Sequence, residues 1–245
     1  MTEAAITGLS VDRIVKDYPS GGGVDVGAIQ FEAGKLIALI GPNGAGKSTL
    51  IKALVGALDA QINGLSYSGT AITDPRQRAR LLAYLSQTRT GPALASVRDV
   101  VALGRFPFGG QDPEGRVARV IEQLGLTALT DRRFGTLSGG EQARVLLGRA
   151  LAVDAPVLLV DEPTASLDPH YVLRILEALR QEAQRGRTVI VSLHDLALAQ
   201  RYCDTAIVLS GGKIVAQGSF ETALTPDILR DVFRIRQTPN GYEPQ

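Results

Sequence analysis

An α/β fold with a mainly parallel sheet is what this sequence predicts, and three observations carry that expectation. Lys35 to Ile40, Val157 to Val160, Thr188 to Leu193 and Thr205 to Leu209 are short apolar runs of the kind buried on both faces of a sheet. Longer segments between them carry apolar residues at helical spacing. Strand and helix alternate, the pattern of a parallel sheet flanked by helices. The 245 residues, 44% hydrophobic and 21% charged, suit roughly one to two domains with a sizeable core.

The elements follow in order. Up to Gly34, short β-like runs are broken by Gly21-Gly22-Gly23 and by Gly34 itself. The strand Lys35 to Ile40 ends at a glycine-rich turn. A helix starts near Lys47 and places Leu50, Ile51, Leu54, Val55 and Leu58 on one face. Leu81 to Ser86 reads as a further strand. Ser96 to Leu129 reads as mostly helical, interrupted by the Gly/Pro-rich stretch from Gly104 to Gly115. Asp168 before Pro169 is a helix start, with the aspartate as cap and the proline where no N–H is needed. Val172, Ile175, Leu176, Leu179 and Ala183 give that helix one apolar face. Gly211-Gly212 reads as a hairpin turn leading into Lys213 to Ala216.

Composition excludes several classes. A formal net charge of +1 leaves no electrostatic footprint for nucleic acid, so none is expected as a partner. The longest apolar stretch, Leu36 to Ile40, is far short of the about 18 residues of a membrane span. Met1 to Ser10 contains Glu3 and neither Lys nor Arg, so no leader peptide is read there. Cys203 is the only cysteine, which rules out an internal disulfide and a cysteine zinc cage. Two histidines, His170 and His194, are too few for a His-rich metal site.

Two clusters carry chemistry. Gly41-Pro42-Asn43-Gly44-Ala45-Gly46-Lys47-Ser48-Thr49 matches G-x-x-x-x-G-K-[ST], between a buried strand and a helix. Glycines let backbone N–H groups approach phosphate oxygens, and the helix start adds its positive dipole end. Lys47 can reach the β- and γ-phosphates, Ser48 can ligate Mg2+, and Thr49 can support a phosphate. The second cluster is Asp161-Glu162, at the carboxyl end of the strand Val157 to Val160, where open α/β sheets bind ligands. Asp161 suits Mg2+, and Glu162 is placed to act as general base on water.

Leu137-Ser138-Gly139-Gly140-Glu141, continued by Gln142, stands at a third helix start, another phosphate-binding geometry. With this motif the chain resembles the ATP-binding subunits of ABC transporters, over roughly Ile6 to Ile235. The resemblance implies a single domain over 1–245, with a P-loop NTPase core (approximately 6–87 and 155–235) and an N-terminal antiparallel β portion. It also implies an inserted α-helical subdomain (approximately 88–150) that carries the signature Leu137–Gln142. Two copies would sandwich two ATP molecules head to tail, each signature acting on the partner's ATP.

Further roles follow from the same resemblance. Gln87 resembles the glutamine that touches Mg2+ or water. Ser166-Leu167-Asp168 resembles the loop across the dimer interface. His194 resembles the switch histidine that contacts the γ-phosphate. Tyr18 resembles the aromatic that stacks on adenine. ATP and Mg2+ are the implied ligands. The implied partners are a second copy of the chain, a transmembrane permease, itself homodimeric, and indirectly a substrate-binding protein. The implied place is the cytoplasmic face of the inner membrane, as a peripheral subunit.

Val101 to Phe108 is similar to the LGRxP stretch in ATPases of importers for iron-siderophores, haem and vitamin B12. Ser192-Leu193-His194-Asp195-Leu196 and Leu224 to Leu229 are similar to that group too. Phe108 stands where the group often has histidine. Phe106 and Phe108 read as exposed aromatics beside Gln87, a docking surface for a partner helix. Two other readings stand beside the importer: an exporter-type ATPase, and a non-transport ABC ATPase. The last class usually shows tandem ATPase domains or a long coiled-coil insertion, and this chain shows neither.

Overall fold

The structure, a computed structural model, describes residues 8–88, 90–165, 167–238 and 241–245. The N-terminal strands are β1 (Gly8–Val11), β2 (Arg13–Asp17), β3 (Gly23–Val26) and β4 (Ile29–Glu32). Val24, Val26, Ile29 and Phe31 are buried at every second position, so β3 and β4 each bury one face. β1 pairs antiparallel with β4, and β2 with β3. Next come β5 (Leu36–Ile40) and the helix α1 (Lys47–Val55). The short strands β6 (Gln61–Asn63), β7 (Ser66–Tyr67) and β8 (Thr70–Ala71) then return to this antiparallel portion, β6 against β2 and β7 against β1.

Helix α2 (Pro75–Leu81) is capped by Asp74 and runs without a loop into β9 (Leu82–Leu85). The expected strand Leu81 to Ser86 is therefore shorter. Leu81 closes the helix, and the chain turns extended at Leu82, with φ −121°. A helical segment follows, with α3 (Val97–Ala102), a 3-10 stretch over Leu103–Phe108, α4 (Arg116–Gln123) and α5 (Gly139–Ala152). The chain returns to the sheet as β10 (Val157–Val160), α6 (Pro169–Gln184), β11 (Thr188–Ser192), α7 (Leu196–Tyr202), β12 (Thr205–Ser210) and β13 (Lys213–Gly218).

The central sheet has the order β13-β12-β5-β11-β10-β9 and is parallel except for the β12–β13 hairpin. That hairpin turns at Gly211 and Gly212, both at positive φ, as the expected glycine turn requires. β5 is buried at all five positions and divides its side chains between two cores. Leu36, Ala38 and Ile40 join the core built with α3 to α7; Ile37 and Leu39 join the core under α1 and the antiparallel strands. Each such leucine or isoleucine contributes about 1.5–3 kcal/mol on burial, which is why a continuous apolar run sits centrally in the sheet.

The helical segment is fastened to the rest by a buried carboxylate. Glu182 of α6 is fully buried and accepts from Gln123 Nε2 of α4 at 2.8 Å. It also pairs with Arg185 and Arg187, and Arg187 pairs in turn with Asp154. Among the described residues no helix is long and apolar enough to cross a membrane.

Candidate functional site

Sheet register assembles the site. Leu39 lies opposite Ser192, and Val160 lies opposite both Val191 and Leu85. The residues that follow β5, β9, β10 and β11 therefore emerge at one sheet edge, although they are far apart in sequence. After Ile40 the chain must turn sharply into α1. At Gly41 (φ 155°) a Cβ would lie 2.2 Å from the Leu209 carbonyl oxygen, and at Gly46 (φ 103°) 2.6 Å from Val24 Cγ1, so only glycine fits either place. The Gly212 N–H donates to the Ala45 carbonyl at 3.0 Å, which ties the loop to the β12–β13 hairpin.

Lys47 is 5% exposed and donates from Nζ to the carbonyls of Gly41 (2.7 Å) and Pro42 (3.1 Å). Burial pulls its pKa below the ordinary lysine value, opposed by the charges of Glu162 and Asp161. Asp161 is fully buried; its Oδ1 accepts from Ser48 Oγ (2.9 Å) and Ser192 Oγ (2.8 Å). Its Oδ2 is buried with no hydrogen-bond partner. A buried orphan carboxylate oxygen beside a hydroxyl is an incomplete set of hard oxygen donors, and that set fits Mg2+.

Glu162 stands at the centre. Its Oε2 accepts from Gln87 Nε2 at 2.7 Å, and its Oε1 lies 2.5 Å from His194 Nε2. Its backbone N–H donates to Ser192 Oγ at 2.8 Å. The carboxylate is thus held from two sides, and its charge reaches Lys47. Tyr18, Asn43 to Thr49, Glu162 and His194 line one open cleft of about 300 Å³. Tyr18 is 37% exposed, with its hydroxyl 3.4 Å from Thr49 Oγ1. A cavity of about 480 Å³ between β1, β4 and the β12–β13 edge is larger, but it contains none of the motif residues.

The other expected site residues lie elsewhere. None of Leu137, Ser138, Gly139, Gly140, Glu141 and Gln142 lines this cleft. Ser138 caps α5: its N–H donates to Glu141 Oε2 at 2.8 Å, and its Oγ accepts from the Glu141 N–H at 3.4 Å. At Gly140 a Cβ would come within 2.4 Å of the Tyr171 ring, whereas at exposed Gly139 a Cβ would meet nothing within 4 Å. Ser166 lies outside the described residues. Leu167 packs against the larger core. Asp168 occupies the cap position of α6, but its side chain makes no cap bond, contrary to the expected aspartate cap. Its backbone carbonyl accepts from the N–H groups of Tyr171 (2.9 Å) and Val172 (3.1 Å), so Pro169 and the main chain start the helix alone.

Two further results depart from the sequence reading. Ser192, which bonds both acidic residues, is named there only within the stretch Ser192–Leu196 and with no role of its own; its local signal is a hydroxyl closing a mostly apolar strand. Phe106 is 81% exposed as expected, but Phe108 is half-buried against the larger core and is not a free docking residue.

A glycine-rich turn into α1, a buried aspartate with an unpartnered oxygen beside a hydroxyl, and a carboxylate braced next to them are the arrangement expected of the class of phosphate-loop nucleotide hydrolases. Within it this chain belongs to the ABC transporter family, whose model matches residues 26–165, and it is an ATPase of that family. It is 40% identical to the hemin import ATP-binding protein of Nocardia farcinica, over 93% of this chain and 81% of that protein. It is 40% identical to the cobalamin import ATP-binding protein of Halobacterium salinarum, over 94% of this chain and 58% of that longer protein. Among solved structures, a nucleotide-free ATP-binding cassette from an ABC transporter superposes with TM-score 0.80 at 26% identity, covering 92% of this chain and 98% of that one. A cassette in its ADP conformation gives 0.77 at 28%, covering 91% and 95%.

Proposed function

We propose that this chain hydrolyses ATP to power an importer of haem, cobalamin or an iron-siderophore, coupled to a separate membrane permease. The observation that carries this reading is the pair of relatives at 40% identity over more than nine tenths of the chain, one named for hemin import and one for cobalamin import. In this reading residues 6–87 and 155–235 are the nucleotide-binding core, and 88–150 the helical subdomain. Two copies pair head to tail, and the signature of each faces the nucleotide held by the other. A capped helix start with an open Gly139, outside its own chain's cleft, supports that assignment.

The chemistry follows from the side chains. Lys47 exchanges its bonds to the Gly41 and Pro42 carbonyls for phosphate oxygens, so its ammonium meets charged acceptors in place of neutral carbonyls. The N–H groups of 41–49 cradle the phosphates, and the Tyr18 ring offers a π-face to the base. Ser48, Asp161 and Gln87 would hold Mg2+, which when bound draws charge from the β- and γ-phosphate oxygens. Glu162 accepts the proton of the attacking water, and Gln87 and His194 keep its carboxylate aimed. His194 can also donate to the γ-phosphate as charge builds there. Turnover reopens the pair and moves the permease, so the chain works as a peripheral subunit at the cytoplasmic face of the inner membrane. An indirect partner is the substrate-binding protein that delivers the solute.

The test is a tagged copy recovered from detergent-solubilised native membranes, with its companions identified by mass spectrometry. Co-purification of a polytopic permease with about ten apolar spans is the expected result. A partner with roughly six spans, or only soluble nucleic-acid factors, overturns the importer reading.

A further inference from the structure

We propose that Arg80, Phe108 and Arg105 form a strut between α1, which begins at the phosphate loop, and α5, which begins at Ser138, and that they act as positioning residues for turnover. The inference rests on the reading that Ser138 completes the site of a second copy.

The core end of the strut is anchored at the last turn of α1. Arg78 of α2 donates from Nε to the Leu54 carbonyl (2.8 Å) and from Nη2 to the Ala53 carbonyl (2.7 Å). Arg80 sits on the same seven-residue helix, which continues without a loop into β9. It donates from Nε to the Pro107 carbonyl at 3.0 Å, and its guanidinium carbon lies 5.4 Å from the centre of the Phe108 ring.

The other end is anchored at the last residues of α5. The Arg105 guanidinium carbon lies 4.2 Å from the centre of the same Phe108 ring. Its Nη1 donates to the carbonyls of Ala152 (3.0 Å) and Val153 (3.3 Å), a cation placed at the negative end of the helix. Beside it, Gly104 packs so close to α5 that a Cβ would lie 2.1 Å from the Arg149 carbonyl oxygen. Arg105 and its loop are therefore locked to the signature helix, as Arg78 is locked to the phosphate-loop helix, with Arg80 two residues on in the same short helix.

One aromatic ring, with the Arg80–Pro107 hydrogen bond beside it, joins the two halves of the strut. Two guanidiniums repel each other, and the negative face of a neutral ring attracts both. The path from Lys47 to Ser138 thus runs along α1 for about 13 Å, through the strut, and along α5 for about 20 Å. Phe106, exposed between Arg105 and Pro107, is a handle on this joint: a partner that grips it loads both arms.

Steady-state ATPase of the full chain tests the strut. Phe108→Leu keeps bulk but removes the π-face. It is expected to lower kcat about fivefold while KM for ATP stays within about twofold and the melting midpoint holds. Phe108→Tyr is expected to restore kcat, and Arg105→Gln to match Phe108→Leu with no further loss when combined. Equal behaviour of the Leu and Tyr variants, or a loss that appears in KM or in melting, overturns the strut. Ser138→Arg separates the two readings. If it is inactive while Phe108→Leu turns over normally, the strut alone fails. If it hydrolyses ATP normally, the second-copy reading fails and the strut's role with it.

Discussion

Glu162 reaches Gln87 and His194 from a left-handed backbone, at φ 46°, a conformation that costs a non-glycine residue about 1 kcal/mol or more. The surrounding bonds, including its N–H to Ser192, hold it there. Glu162→Gln keeps the size and most of the hydrogen bonding but removes the base. It should still bind ATP and hydrolyse it at least tens-fold more slowly, so undiminished turnover would remove Glu162 from that role. Lys47→Ala should lose nucleotide affinity in calorimetry, because the ammonium is the buried cation facing the cradle. Cys203 tests burial rather than catalysis. Its thiol is buried and pushed up to about 12 by desolvation, so at pH 8 almost none is thiolate. A thiol reagent should label it only on unfolding; native labelling at the unfolded rate would contradict the burial of Cys203 in the larger core.

At the level of elements, Gly104 is the sharpest test. Gly104→Ala forces a Cβ against the Arg149 carbonyl and should destabilise the protein by about 1–3 kcal/mol in urea unfolding. A variant as stable as the parent would show that the 3-10 stretch can lift off α5. The elements best read from sequence were those with one dominant cause. β5, β10 and β11 are apolar on both faces, and α1 starts at a motif that needs a helix there. β6, β7 and β8 leave no period to detect in the sequence, being two- or three-residue strands of mostly polar side chains. The 3-10 stretch Leu103–Phe108 was read as an interruption, since glycine and proline signal a break without saying what replaces the helix. The site divides similarly. The loop 41–49 and Asp161-Glu162 were legible from spacing. The meeting of Gln87, Glu162 and His194 was legible only through family resemblance, because sheet register and not sequence proximity brings them together.

For the whole molecule, Phe106 (81%) and Leu103 (48%) are among the exposed large apolar side chains, and the proposed permease contact is assigned to them. Phe106→Ala should leave basal ATPase intact and weaken co-sedimentation with membranes that contain the partner; intact co-sedimentation would place the docking surface elsewhere. The order of the central sheet carries a different consequence, one of timing. β5 delivers the phosphate loop early, yet its two neighbours are β11 and β12, synthesised close to the end of the chain. While the polypeptide emerges from the ribosome, the nucleotide cradle has its motif but no sheet to stand in. Long-range parallel pairing of this kind is slow and exposes apolar strands while it waits. A nascent chain halted before Thr188 should therefore fail to retain ATP and should engage chaperones, whereas the completed chain acquires the site in one late closure of the sheet around β5.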